Sequence, residues 1–319
     1  MHTLIGHDIE KAASFLQQGA LVAIPTETVY GLAANALSEA AIIKIFEAKN
    51  RPRFNPLILH SHSIESLQLY ADFSDKALSI AKSCMPGPLS LMLPKKLIVP
   101  DVLTAGSDKV VVRIPNHITT LSLLQSITFP LAAPSANPFG YISPTTAQHV
   151  YQKFEGKLPY ILDGGESAVG VESTIAEVMH DHILIHRYGG MSMESLQEIS
   201  GLDTILAPAH SATTSGKLKS HYAPGIPLYM GDVEQLSHQF QGKKIAAISF
   251  YNDYNYLASV ESFILSPEKN MSIAAAKLFQ TLRWIDAGAY DIILAEPFPG
   301  YGLGKAINDR LQRAQWIHK

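Results

Sequence analysis

The sequence predicts an α/β protein: a mixed sheet over the first two hundred residues, with a smaller Rossmann-like α/β domain behind it. Three observations carry this. Short β-rich runs alternate with helical patterns over residues 1–200, joined by both short and long connections, which argues for a mixed sheet. Residues 200–225 lose all periodicity and are dominated by small and polar residues, as in a linker. Beyond them strand and helix patterns alternate regularly, as in a small doubly wound unit. The expected domains are 1–200, a linker over 201–225, and 226–319. The chain has 319 residues, 47% of them hydrophobic and 17% charged, enough for both domains to bury a core.

Taken in order, "LVAI" (21–24) reads as a strand and "SEAAIIKIFEAKN" (38–50) as a helix. Ser38 suits its N-cap, Ile42, Ile45, Phe46 and Lys49 share a face, and Pro52 stops it. "PLILH" (56–60) is a strand, and "SDKALSIAKSC" (74–84) a helix ended by "MPGP". "LSLML" (89–93), "KVVVRI" (109–114) and "PLAAP" (130–134) are strands. "SPTTAQHVYQKF" (143–154) is a helix, with Ser143 expected at N-cap and Pro144 at N1. "PYILD" (159–163), "STIAEVM" (173–179) and "ILIHRY" (183–188) are strands, the last two joined as a hairpin through "HDH". After the linker come "PLYMG" (227–231), a helix 232–241, "KIAAISF" (244–250), a helix 271–287, "DIILAE" (291–296) and a helix 304–316.

Several function classes drop out. No apolar run reaches the roughly 20 residues of a membrane helix, and the N-terminus lacks the pattern of a secretory signal. A single cysteine, Cys84, excludes an intramolecular disulfide and suggests a reducing compartment, so the expected location is the cytoplasm. The net charge of −3 confines any nucleotide or nucleic-acid site to a local patch. "GESAVGVES" has Val171, and no lysine, after its second glycine, and "GYGLGKA" has Ala306 where Ser or Thr belongs, so neither is a phosphate loop. No Gly-x-Ser-x-Gly elbow, HExxH or Cys/His zinc cluster occurs.

What remains is a set of polar clusters at strand ends. "VAIPTETVYGLAANA" (22–36) places Thr26, Glu27 and Thr28 directly after a buried strand. "KNRPRFNPLILH" (49–60) sets Lys49, Arg51 and Arg53 beyond a helix end, with Asn55 and His60 following. Such cations suit phosphate oxygens, but they also suit a helix C-terminus. "KVVVRIP" (109–115) carries Arg113 in an apolar strand, where it needs an anionic partner or an edge from which to snorkel. "APSANPFGYISPTT" (133–146) offers Ser135, Asn137 and Ser143. "DGGESAVGVESTI" supplies Glu172, Ser173 and Thr174, and "HRYGG" supplies Arg187. Together such clusters suggest a polar cleft along one edge of a sheet.

The ordered set "PTETVYGL", "KNRPRFNPL", "VVVRIP", "APSANPFG" with "SPT", "GVESTI", and "HYAP" in the linker resembles the threonylcarbamoyl-AMP synthases with a YrdC-like domain, in their longer, two-domain form. The resemblance implies a twisted open mixed sheet around a concave, positively charged cleft. It implies formation of threonylcarbamoyl-AMP and pyrophosphate from L-threonine, bicarbonate or CO2, and ATP. A downstream transferase machinery would then modify ANN-decoding tRNAs. Carried over residue by residue, it assigns Thr28, His60, Arg113, Ser173 and the backbone around Ala133 to threonine. Arg51, Asn55, Lys109, Ser135, Ser143, Arg187 and Tyr222 would hold ATP. Lys49, Arg51 and Arg113 would supply the catalytic positive charge. Mg²⁺ is expected to arrive with ATP, with no permanent protein-bound metal. The one departure is Pro138-Phe139, where a small residue often precedes the glycine. The linker is expected to fold over the cleft as a lid, with Tyr222 against the nucleotide.

No covalent enzyme intermediate is implied. A carbamate formed on the threonine amine would attack the α-phosphate, so two anions must be held together by fixed positive charge. The alternative from another class is a non-catalytic RNA-binding module using the same basic cleft, and a weak RNA contact fits either reading. The hydroxyls beside the arginines favour a small polar ligand, and no basic stripe interleaved with aromatics suits single-strand stacking.

Overall fold

The computed structural model describes residues 2–208 and 221–315. Eleven strands among these residues form one mixed sheet: β1 (Leu4–Gly6), β2 (Val22–Ile24), β3 (Gly31–Asn35), β4 (Ile58–His60), β5 (Leu89–Pro94), β6 (Lys109–Arg113), β7 (Leu131–Ala132), β8 (Tyr160–Leu162), β9 (Thr174–Val178), β10 (His182–Arg187) and β11 (Asp203–Leu206). Their spatial order is β1-β8-β2-β3-β7-β4-β6-β5-β9-β10-β11. Four more, β12 (Leu228–Met230), β13 (Ile245–Ser249), β14 (Val260–Ile264) and β15 (Ile292–Ala295), form a second sheet in the order β12-β15-β13-β14, with every pairing parallel. Among the described residues no helix is long and apolar enough to cross a membrane.

Strand alternation sorts the side chains. On β6, Val110 and Val112 join the large core, while Val111 meets Ile58, Met92 and Ile175 in a small apolar cluster on the opposite face. Arg113 shares that second face. The parallel pairing of β4 with β6 sets His60 beside Arg113. β6 lies between β4 and β5, so Arg113 is 4% exposed in a central strand and does not snorkel from an edge. β9 and β10 form the expected antiparallel hairpin, with a register shift between Ile185 and Arg187 that re-aims the strand end.

Helix starts follow their caps. Ser38 accepts from Ala41 N at the start of helix Glu39–Lys49, and Ser74 accepts from Ala77 N at helix Asp75–Cys84. The first of these helices ends on Asn50 at φ 52, the left-handed turn that directs Arg51 out of the helix.

Three expectations need correction. Ser143 is not an N-cap: the helix is Ala147–Phe154, capped by Thr146 through His149 N. The Ser143 hydroxyl is engaged elsewhere, donating to Glu172 Oε1 at 2.6 Å, and the Pro144 carbonyl accepts Tyr30 N at 2.8 Å. This part of the segment is therefore held outside the helix. The stretch read as linker from 201 contains β11, which extends the first sheet by pairing in parallel with β10. Its four residues are largely exposed, so they lack the alternation that marks a half-buried strand. Strand β3, "GLAAN", is built of small residues and escaped the sequence reading. Residues 209–220 of the expected linker and lid, and the end of the last helix at 316, lie outside the described residues.

The two domains are bolted together beside the "SANPFGYIS" loop. Arg283 of helix Met271–Asp286 donates to the carbonyls of Ser143 (3.1 Å) and Ile142 (2.6 Å). Tyr141 OH donates to Asp286 Oδ2 at 2.6 Å. Gly170 has φ +75, and a Cβ there would stand 2.4 Å from Ala276 Cα of the same helix. Gly170→Ala combines a strained φ with overpacking and is expected to cost about 2–4 kcal/mol. Gly242 has φ +80 with nothing near its Cβ position, so Gly242→Ala should cost only about 1–2 kcal/mol. Urea unfolding of the two variants checks the difference; equal losses would mean that the Gly170 contact does not bear on stability.

Candidate active site

The strand ends converge on a cleft. Of the residues expected in a site, Thr28, Arg51, His60, Arg113, Ala133, Ser135, Ser173, Arg187 and Tyr222 line it. Thr26 and Glu172 line it as well, and so does His221, which precedes Tyr222. Lys49, Asn55, Lys109 and Ser143 do not line it directly.

At one end, Thr26 Oγ1 donates to the Val29 carbonyl at 2.6 Å and accepts from the Thr28 and Val29 amides, holding the turn after β2. Its proton being committed, the 2.8 Å contact between the two hydroxyls makes Thr28 the donor and leaves the Thr28 oxygen able to accept. Arg113 Nη2 lies 2.8 Å from Glu27 Oε1, and Nε donates to the Gly87 carbonyl at 3.3 Å. The Glu27 pair is close but poorly aligned: neither carboxylate oxygen completes a hydrogen bond, nor does that Arg113 nitrogen. The carboxylate placed after a buried strand is thus the internal counterion of a buried arginine.

His60 Nδ1 lies 3.1 Å from the Ile58 carbonyl, an acceptor only, so Nδ1 carries the proton. Burial, then the neighbouring Arg113 charge, pushes this ring down to about 3. It is neutral at pH 7. Ser173 Oγ is 2.8 Å from Ser90 Oγ, and Arg187 Nη2 donates to the Ser173 carbonyl and hydroxyl at 2.8 and 3.1 Å.

At the other end, Arg51 Nε and Nη2 donate to the carbonyls of Asn55 and Pro56, both at 3.1 Å, which fixes the guanidinium plane. Burial lowers the pKa of Arg51 to about 9. Lys49 has a different place from the one expected. Its ammonium is 2% exposed and donates to the Ser135 carbonyl at 2.5 Å and to the Asn137 carbonyl, with burial lowering its pKa well below the ordinary lysine value. It clamps the loop that carries Ser135. Lys109 is also displaced. It sits at the far end of β6, four residues or about 13 Å from Arg113, paired with Glu177, which also binds His186 Nε2 at 2.9 Å. Asn55 stands behind Arg51 with both side-chain polar atoms buried and unpartnered. Ser143 supports Glu172.

The cleft is closed by residues from the C-terminal end of the linker. Tyr222, at φ +65 and 1% exposed, stacks on Phe279 with centroids 5.5 Å apart. His221 meets Tyr222 edge-on at 4.1 Å and Phe139 at 5.8 Å, so the unusual Phe139 serves as a support. Ala223 N donates to the Gly140 carbonyl at 2.8 Å. Sequence reasoning set Glu172 in a strand-end cluster without giving it a role, and missed Arg283 and Arg310 as partners of the first domain. No motif marked the two arginines, which sit in ordinary amphipathic helices.

The family described as "Telomere recombination", covering Sua5, YciO and YrdC, matches residues 14–189. The family described as "Threonylcarbamoyl-AMP synthase, C-terminal domain" matches residues 191–315. The chain is 41% identical to a Pyrococcus abyssi protein named threonylcarbamoyl-AMP synthase, over 96% of this chain and 93% of the other. It is 37% identical to a Bacillus subtilis protein of the same name, over 96% and 92%. The P. abyssi Sua5 structure solved with L-threonine superposes with a TM-score of 0.89 at 39% identity, covering 98% of this chain and 97% of that one. Escherichia coli YciO, 18% identical, shares the fold over 59% of this chain and 94% of its own, at a TM-score of 0.52.

The buried rings give the site a pH signature. Burial is also the main reason that His221 is pushed down to about 3. Unfolded histidine titrates near 6.5, at about 1.4 kcal/mol per pK unit. Below that pH the unfolded chain takes up protons that the native His60 and His221 refuse. Their contribution is complete above about pH 6.5 and is lost as pH falls toward 3. Unfolding free energy should therefore drop between pH 6.5 and 4.5, by up to about 1.4 kcal/mol per pH unit for each ring. His60→Gln should flatten that slope in urea titrations; an unchanged slope would mean that His60 is protonated in the fold.

Proposed function

Because this chain belongs to the threonylcarbamoyl-AMP synthase family in its two-domain form, we propose how its cleft divides the work of that activity between named residues. The protein makes threonylcarbamoyl-AMP, with L-threonine and ATP as substrates, as the first step of threonylcarbamoyladenosine formation in tRNA. The observation that carries the division is the meeting of Arg51, Arg113 and Arg187 with Thr28, His60, Ser135 and Ser173 in one cleft.

Threonine occupies the end framed by Thr28, His60, Arg113, Ser173 and the backbone at Ala133. Its carboxylate pairs with Arg113, whose Nη2 has no aligned partner. The neutral His60 and the Thr28 oxygen supply hydrogen bonds that a third cation could not. ATP takes the end framed by Arg51, Ser135, Arg187 and Tyr222, its phosphates on the two arginines. Asn55, with its orphaned amide, lies next to that end. Mg²⁺ accompanies the phosphates. Among the described residues no three His, Cys, Asp or Glu side chains are grouped to hold a metal, so phosphate oxygens would be its main ligands. Lys49 acts through the Ser135 loop, and Ser143 through Glu172. Lys109 lies beyond the arginines, outside the cleft lining.

The threonine amine combines with CO2, supplied as bicarbonate, to give a carbamate. A carbamate oxygen then attacks the α-phosphorus, the bond to the β-phosphate oxygen breaks, and pyrophosphate leaves. The arginines offset the repulsion between the two anions. Tyr222 and His221, both lining the cleft, shield the hydrolysable adenylate from water. The product then passes to a transferase that modifies tRNA. The relatives' shared name favours this enzyme over the non-catalytic RNA-binding alternative.

Pyrophosphate release that requires threonine and bicarbonate together with ATP tests the reading; release independent of threonine would defeat it. Arg113→Ala removes a charge-assisted bond of roughly 1.5–3 kcal/mol, so calorimetry should show threonine binding weakened about 10–150-fold. Arg51→Lys replaces a fork with a point charge and should weaken ATP binding at least about tenfold, or about 1.4 kcal/mol. Unchanged ATP affinity and turnover in Arg51→Lys would remove Arg51 from the nucleotide.

A further inference from the structure

A buried arginine of the second domain reaches the edge of the cleft. Arg310, on helix Gly304–Ala314, is fully buried. Its Nε donates to Glu172 Oε2 at 2.9 Å, Nη1 to Asp309 Oδ2 at 2.8 Å, and Nη2 to the Tyr188 carbonyl at 2.9 Å. Its guanidinium carbon lies 5.2 Å from the Tyr222 ring centroid. Glu172 and Tyr222 both line the cleft, and Tyr188 directly follows Arg187.

Glu172 is a hazard where it stands. It is 6% exposed, within electrostatic range of Lys49 and Arg187, in a site meant for an anion. A free carboxylate there would swing onto the nearest arginine and compete with phosphate. It does not swing, because both oxygens are held: Oε1 by the Ser143 hydroxyl and Oε2 by Arg310. Burial alone would raise its pKa, but Arg310 first, then Arg187 and the Ser143 bond, outweigh it and hold the group at about 2. The carboxylate therefore stays charged, and its position is decided by which cation holds it.

We propose that Arg310 is a positioning residue for the nucleotide end of the cleft, drawing the Glu172 carboxylate away from the phosphate-binding arginines while bracing the ring of Tyr222. This rests on the reading above that Arg51 and Arg187 take the phosphates. It gives the C-terminal domain a defined part in the reaction: it supplies the counterion that holds the Glu172 carboxylate in place. Asp309 and Arg313 complete the arrangement, Asp309 bonding both Arg310 and Arg313 Nε.

The test is a charge cycle in the full chain, read by calorimetric binding of ATP and, separately, of threonine. Arg310→Met should weaken ATP binding at least about tenfold while threonine binding moves less than about threefold, a split that general destabilisation would not produce. Adding Glu172→Gln to Arg310→Met should restore ATP affinity to within about threefold of the parent, because the unpaired carboxylate is then gone. Should Arg310→Met fail to fold, Arg310→Lys carries the same comparison, since a lysine keeps charge but cannot bridge Glu172, Asp309 and the Tyr188 carbonyl together. A double variant as weak as the single one overturns the proposal. Arg187→Met separates it from the underlying reading. If Arg187→Met binds ATP normally, the phosphate assignment falls and the proposal with it. If Arg187→Met loses ATP and the double variant is not rescued, only the proposal falls.

Discussion

Buried positive charge is the constraint around which this molecule is arranged. Lys49, Arg51, Arg113 and Arg187 are each less than 9% exposed, and burial first, then neighbouring cations, depresses the ionisation of Lys49, Arg51 and Arg187. Such a cluster survives only if each cation is held by acceptors that do not fill the cleft. The chain does this largely with backbone carbonyls: Asn55 and Pro56 for Arg51, Ser135 and Asn137 for Lys49, Gly87 for Arg113, and Ser173 for Arg187. A carbonyl orients a guanidinium without cancelling its charge, so the field stays available to an anionic ligand.

Two carboxylates complete the balance, and they differ. Glu27 sits against Arg113 without an aligned hydrogen bond, a loose counterion. Glu172 is held at both oxygens and stays put. The first belongs to the turn after β2, local in sequence to the site. The second is governed by Arg310, 138 residues away in the chain. Activity and domain docking are therefore coupled at one carboxylate. The Tyr141–Asp286 and Arg283 contacts hold the same face of the second domain against the loop that carries Ser135 and Ser143.

The apolar floor matters as much as the charges. Ile58, Met92, Val111 and Ile175 form a small cluster on the cleft side of the sheet. It separates the Arg113 end from the Lys109–Glu177–His186 group and supplies the low-dielectric surroundings in which fixed charges act most strongly. Lys109 and Arg113 share a strand face, yet this apolar row between them divides a site residue from a structural ion pair.

The sequence by itself determined the α/β class, the order of most strands and helices, and the identity of the polar residues at strand ends. These are local properties. A β-branched apolar run marks β6, a serine marks the start of Glu39–Lys49, and a motif order marks the family. The sequence also placed Arg113 correctly in doubt between a paired and a snorkelling arginine, because burial is not a local property. Only the tertiary structure decided that β6 is central, that Ser143 binds Glu172 and caps no helix, and that Lys49 clamps a loop. It alone brought Arg310 to Glu172. The physical reason is that a buried ion pair is set by three-dimensional neighbours at hydrogen-bond distance, and nothing in the periodicity of an amphipathic helix records which carboxylate its arginine will meet.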